Sequence, residues 1–185
     1  MEMKEKILVA ASELIVENGI VETTLKDIAQ KVGISKGTLY YYYSAKEELI
    51  FDVADSHLKV ITEELLCWIK EIDFSLPPKK IIYEAINKIV SAETRGKLNL
   101  YLISKAITNS ESLKQKLIIK YKKWRETIKE VLDSLYQDQN NDGMSYLILA
   151  VIDGLIIQKL IGVESIPIKN ISETIAHAKK GEENV

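Results

Sequence analysis

The segment TTLKDIAQKVGISKGTLYYYYSAKEEL, residues 23–49, constrains the fold most, because it fits two short helices joined by a tight turn and leaves the second coated with tyrosine. Leu25, Ile28, Ala29 and Val32 recur at helical spacing, and Thr24 followed by Asp27 has the spacing of a capping box, so the first helix is predicted over 25–32. Ala29 is small where two helices must cross, and Gly33 supplies the positive φ that a short inter-helix turn requires. Ile34 and Leu39 anchor a second helix, 36–42, from beneath. At about 100° per residue, Gly37 and Tyr41 lie nearly opposite Leu39, with Lys36, Thr38, Tyr40 and Tyr42 on the flanks.

Four consecutive tyrosines, Tyr40 to Tyr43, point in four directions and cannot all be core. Tyr43, four residues after Leu39, is expected inside; the others are left to meet a partner. Tyrosine hydroxyls bond phosphate oxygens, and a ring can pack on a thymine methyl in the major groove. The turn geometry therefore predicts a helix-turn-helix that reads double-stranded DNA.

The run GTLYYYYSAKEEL, following TLKDIAQKVGIS, resembles the DNA-binding segment of the TetR family of transcriptional repressors, which carries Gly-x-Leu-Tyr-x-His/Tyr-Phe-x-Ser/Asn-Lys-Glu-Glu-Leu at this point. The likeness extends from Lys4 to Leu49. It implies phosphate contacts for Thr24, Tyr40, Tyr42 and Lys46, and base-edge or groove contacts for Lys36, Gly37, Thr38 and Tyr41. Two positions depart from the pattern. Tyr43 replaces phenylalanine, and Ala45 stands where a capping serine or asparagine is usual; Ser44 with Glu47 has capping-box spacing, which would start the next helix one residue early.

The overall charge of −2 is not that of a typical nucleic-acid binder. Between Thr23 and Lys46, however, Lys26, Lys31, Lys36 and Lys46 face only Asp27, a local excess of 4 − 1 = +3. An acidic remainder would discourage indiscriminate binding.

Beyond Leu49 glycine and proline are scarce and apolar residues follow helical period. Helices are predicted near 3–18, 25–32, 36–42, 46–72, 78–93, 95–108, 112–137, 142–162 and 170–180, with Asn170 and Glu173 as the capping box of the last. The fold class is all-α: about nine helices, a three-helix DNA-binding head over residues 1–48, and a helical ligand-binding and dimerisation body over 49–185. With 185 residues, 46% apolar and 28% charged, the composition is that of a soluble globular protein. The single cysteine, Cys67, lies among apolar neighbours where buried packing is expected, and a reducing cytoplasm fits. The N-terminus lacks the continuous apolar core of a signal peptide, and the apolar run Tyr146–Ile152 is short of the roughly 20 residues of a membrane span, so no membrane partner is expected.

Apolar residues surround the helix predicted over Met144–Ile161, which predicts burial on all sides, either in the centre of a monomer or against a second copy. Gly154 would permit close approach there. The resemblance favours a homodimer through about 142–180, because Ile152, Asp153, Gly154 and Leu155 look like the family's motif on a helix that pairs with its copy. Two recognition helices a DNA turn or more apart would then require a roughly palindromic operator.

The body is rich in apolar and aromatic groups: Leu58, Ile61, Leu65 and Trp68, then Tyr101, then Tyr121, Trp124 and Ile128. These are either plain core or the wall of the cavity that the resemblance implies, whose ligand would be a small hydrophobic or aromatic effector, with His57 and Asp153 as candidate polar contacts. The resemblance further implies that such an effector releases the operator by tilting the long helix that begins near Lys46. The chain has no His-Glu-x-x-His helix, Gly-x-Ser-x-Gly elbow, glycine-rich phosphate loop or Cys/His-rich cluster, so no catalytic residue, metal ligand or cofactor is assigned. The rival readings are a head that binds protein instead of DNA, a structural dimer with a vestigial head, and an acidic partner for the stripe Lys116, Lys120 and Lys123.

Overall fold

A computed structural model describes residues 2–56, 67, 76–108, 110–136 and 141–180. Among these residues there are nine helical segments and no strand: α1 (Met3–Asn18), α2 (Leu25–Val32), α3 (Lys36–Tyr42), α4 (46–56), α5 (Pro78–Val90), α6 (Glu93–Thr108), α7 (Glu111–Leu135), α8 (Asp142–Leu160) and α9 (Ile168–Lys180). The chain divides into two compact units, Met1–Val60 with Lys97–Leu117, and Ile61–Gly96 with Ile118–Val185.

The first unit is built around the turn that the sequence specifies. Thr24 caps α2: its Oγ1 accepts the backbone N–H of Asp27 at 3.2 Å, and the Asp27 carboxylate accepts the backbone N–H of Thr24 at 3.0 Å, satisfying two donors that a helix start leaves open. The hydrogen bonds from Thr24 hold the Asp27 carboxyl below the usual carboxylate range. Gly33 ends α2 in the left-handed region, φ 77° and ψ 32°, and its N–H reaches the carbonyls of Ala29 and Gln30. A side chain at this φ is strained even though the space around it is open. Gly33→Ala should lower the unfolding free energy by about 1 kcal/mol, read as a lower urea midpoint at unchanged m value; an unchanged midpoint would show that the turn tolerates a Cβ.

Ile7, Ala11 and Ile15 of α1, Ile28 and Ala29 of α2, and Leu39 of α3 share one buried cluster with Leu49, Ile50 and Val53 of α4 and with Leu98 and Leu102 of α6. Thr23 is buried just before α2, where its hydroxyl donates to the carbonyls of Leu14 and Gly19 and ties the connecting loop to α1.

α4 begins at Lys46, not one residue early. Ser44 donates through both its backbone N–H and its hydroxyl to the carboxylate of Glu48, at 3.2 and 2.8 Å, so Glu48, and not Glu47, reaches back across the helix start. That lets Ala45 stand at the cap, its carbonyl accepting from Leu49.

In the second unit, α5 packs along α9 and against α8, with Ile82, Ile86, Ile148, Ile152 and Ile175 in one cluster. α9 starts two residues before the expected capping box: Pro167 precedes its first turn and accepts the N–H of Ile171, while Glu173 pairs with Lys79 of α5 at 3.2 Å. α8 buries only Ser145, Ile148, Ile152 and Leu155; Tyr146, Leu147 and Ile157 are exposed, so the expectation of burial on all sides fails within one protomer. By length and composition α8 is long and apolar enough to cross a membrane, as core helices also are, although its uninterrupted apolar run ends at Asp153; one of its faces is packed on α5. Cys67 is exposed, against the expectation of burial, and the residues on either side of it lie outside the described ones.

Candidate nucleic-acid interface and ligand pocket

α3 is two turns long and is fixed from both ends. Ser35 caps it, its Oγ accepting the N–H of Thr38 at 3.0 Å, and Leu39, fully buried, pins its underside. At its far end Tyr43 is 3% exposed, and its hydroxyl donates to Asp52 of α4 at 3.0 Å; Lys4 of α1 sits 2.8 Å from the same carboxylate oxygen and 5.6 Å from the centre of the Tyr43 ring. Burial first, and the Asp52 carboxylate second, push the Tyr43 hydroxyl above the ordinary tyrosine range, so it stays a donor. Sequence reasoning missed Asp52 and Lys4 as supports of the recognition helix. The signal was the extra hydroxyl, since a buried tyrosine that replaces phenylalanine needs a partner.

With Leu39 and Tyr43 turned inward, the predicted outer surface is free. Tyr41 is 85% exposed, Tyr40 43% and Tyr42 38%, while Lys36, Gly37 and Thr38 are also exposed. The rings are ordered by local contacts: Lys36 Nζ lies 5.5 Å from the Tyr40 ring centre, and Tyr41 meets Tyr42 edge to face at 5.4 Å. The structure thus brings Lys36, Gly37, Thr38, Tyr40, Tyr41 and Tyr42 onto one two-turn element. Thr24 stands exposed at the α2 start with its hydroxyl engaged by Asp27 at 2.7 Å. Lys46 is half-buried and donates to the carbonyl of Val21 at 3.0 Å, and burial lowers its pKa.

The positive excess counted along the chain is smaller in space. Lys31 lies 3.1 Å from Glu13 and 3.4 Å from Glu17 of α1, and the hydrogen bond to Glu13 raises its pKa. Among the described residues, Lys26, Lys36 and Lys46 are the lysines of the segment that no carboxylate pairs directly.

Of the predicted pocket residues, Leu58, Ile61, Leu65 and Trp68 lie outside the described residues, as does His57. Tyr101 falls in the first unit, with Lys105 over its ring at 5.6 Å and Glu47 as hydrogen-bond partner. Tyr121 and Trp124 come together on α7 with ring centres 4.9 Å apart. Ile128 lines an apolar recess of about 60 Å³ with Ile82, Ile86, Leu132, Ile148 and Ile152. That volume is far below the roughly 300–1,000 Å³ of a drug-sized ligand site, so the recess by itself does not hold one.

Of the predicted interface residues, Ile152 and Leu155 are 5% and 4% exposed in the core of their own chain, which leaves them little surface of their own. Gly154 has open space around it, and the outward stripe of α8 is Leu147, Ala150, Gly154 and Ile157, with Ile161 exposed just past its end.

An all-helical chain whose capped α2, left-handed glycine turn and outward α3 form a helix-turn-helix falls in the class of helix-turn-helix regulatory proteins. Residues 7–53 match the family described as bacterial regulatory proteins, TetR family. The regulator YvdT of Bacillus subtilis is 44% identical over 54 residues, 29% of this chain and 28% of that protein's length. YxaF of the same organism is 27% identical over 179 residues, 93% of this chain and 92% of that one. The structure of Thermus thermophilus FadR, a TetR-family repressor in complex with lauroyl-CoA, superposes with a TM-score of 0.69 at 19% identity, covering 94% of this chain and 91% of that one. The match to the TetR family model thus covers the segment that holds the helix-turn-helix.

Proposed function

We propose that this protein is a homodimeric transcriptional repressor, cytoplasmic and without catalytic activity, that binds a roughly palindromic operator through α3 and is released by a small hydrophobic or aromatic effector. The observation that carries the reading is the outward face of α3, where Tyr41 projects beside Gly37, Lys36 and Thr38 from a helix fixed by Ser35, Leu39 and Tyr43. In this reading residues 1–48 contact DNA, with Thr24, Tyr40, Tyr42 and Lys46 on phosphates and Lys36, Gly37, Thr38 and Tyr41 in the groove; residues 49–185 bind effector and dimerise. The acyl-CoA held by the Thermus repressor supports an effector with an apolar portion. Coupling of about 1–3 kcal/mol between the two sites would lower operator affinity roughly 5- to 150-fold, and DNA would weaken effector binding by the same factor.

The test is fluorescence anisotropy against DNA from upstream of the protein's own gene, with scrambled DNA as control. Tyr41→Ala should weaken operator binding by about 10- to 100-fold and relax sequence preference, with stability within about 0.5 kcal/mol of wild type because the ring is solvated. Wild-type affinity in the mutant would remove Tyr41 from the groove. If ligand-stripped protein showed no preference for upstream DNA or for any sequence selected from random DNA, the head would be read as a protein-binding module.

A further inference from the structure

The outward centre of α3 is uncharged. Tyr41 follows Thr38 by three residues and Gly37 by four, so the three are neighbours on one helical face, while Lys36 lies to the side with its Nζ 5.5 Å from the Tyr40 ring centre. Thr38 is exposed, yet its hydroxyl is engaged within the helix. Its Oγ1 is hydrogen-bonded to Ser35 Oγ at 2.8 Å, and the same Ser35 oxygen accepts the Thr38 backbone N–H at 3.0 Å. The double link turns Oγ1 back toward the cap and fixes the staggered rotamer, which leaves the methyl as the outward group. Gly37 beside it is required neither by backbone conformation nor by packing: its φ is not left-handed, and an added Cβ would meet, beyond its chain neighbours, Ser35 Oγ at 3.7 Å, an ordinary contact. A glycine within a helix costs stability relative to alanine, so the space left bare at 37 serves something outside the chain.

We infer that Thr38 is a specificity-determining residue that reads a thymine by methyl-to-methyl contact, with Gly37 leaving the room that lets α3 approach that base. The inference rests on the operator reading above and names the base chemistry that its groove face takes. In the major groove thymine alone of the four bases presents a methyl group, and a threonine methyl packs on it. With its oxygen turned to Ser35, Thr38 offers that apolar contact and no directed hydrogen bond to the groove. A base edge that presents only donors and acceptors here would lose water without recovering a partner. The Tyr41 ring, three residues further on and 85% exposed, extends the apolar surface that covers the base methyl. Each operator half-site therefore carries a thymine opposite residues 37 and 38, and the complex depends on its C5 methyl.

Replacing thymine by deoxyuridine removes the C5 methyl and keeps every hydrogen-bonding group, so it isolates the contact. In the tightest duplex that the wild-type protein selects from random DNA, each thymine is changed in turn and affinity is read by anisotropy. At least one thymine per half-site should be sensitive, by about fourfold for the methyl lost. Thr38→Ser keeps the bond to Ser35 and lacks the methyl; it should bind thymine and deoxyuridine equally at one of the sensitive positions. Thr38→Val keeps a methyl and lacks the hydroxyl; it should preserve the preference there. Gly37→Ala should hold or raise Tm while weakening the duplex by about tenfold or more, and wild-type affinity in that variant would overturn the close approach. If no deoxyuridine change weakens binding, if Thr38→Ser retains the preference at every position, or if Thr38→Val loses it, the methyl contact is overturned and operator binding by α3 stands. Failure to select any duplex would overturn the operator reading and this inference together.

Discussion

Raising the salt concentration from 50 to 200 mM should lower operator affinity by about 10³, with a slope of log affinity against log salt of about −5. The size follows from which lysines are available. Neutralising a phosphate releases about 0.9 counterion, so the slope counts the cations that reach the backbone. Lys31 is held by Glu13 and Glu17, which leaves Lys26, Lys36 and Lys46 on each head and six in a dimer. Had all four lysines of the segment counted, the slope would be about −7 and the loss about 10⁴. A titration by anisotropy separates the two, and a flat response would exclude phosphate contact altogether. The tyrosine and threonine contacts proposed for the same face add affinity without adding to the slope, since they carry no charge.

Placing two carboxylates on the outward stripe of α8, as in Leu147→Glu with Ile157→Glu, should convert the proposed dimer to a monomer at micromolar concentration. Operator affinity should fall by about 10²–10⁴ as the second head loses its tether. Leu147 and Ile157 are 51% and 43% exposed, so neither supports the fold of its own protomer, and two buried like charges per subunit would oppose pairing. Ala150 and Gly154 lie between them at spacings of three and four residues, which gives a continuous seam with room for a second helix. Sedimentation equilibrium reads the mass directly; retention of twice the chain mass in the double mutant would move the interface off α8. Substituting Ile152 or Leu155 instead would report on folding, because both fill the core beneath α9.

The local chemistry of the head was legible along the chain. A threonine and an aspartate three apart, a glycine at the turn and a serine before Lys36 each act on backbone groups a few residues away, so α1, α2 and α3 start and stop where the pattern places them. The same holds for the division of the four tyrosines. Helical geometry alone turns Tyr43 inward and Tyr41 outward.

Contacts between distant parts of the chain were not legible, because periodicity records that a face is apolar and not what covers it. α8 is apolar all round, and the cluster it shares with α5, α7 and α9 decided that Ile148, Ile152 and Leu155 face inward while Leu147 and Ile157 face out. The capping of α4 by Glu48 depended on a side chain reaching one residue further than the motif spacing. Charge behaved likewise. Sequence counting gave Lys31 to the DNA face, whereas the crossing of α2 on α1 gave it to Glu13 and Glu17. Sequence by itself determined the helices of the head, their caps and the side of α3 that faces outward, since these are set by neighbours within about one or two turns. Tertiary structure decided which charges remain available and which apolar faces remain bare, since both depend on residues brought together from far along the chain.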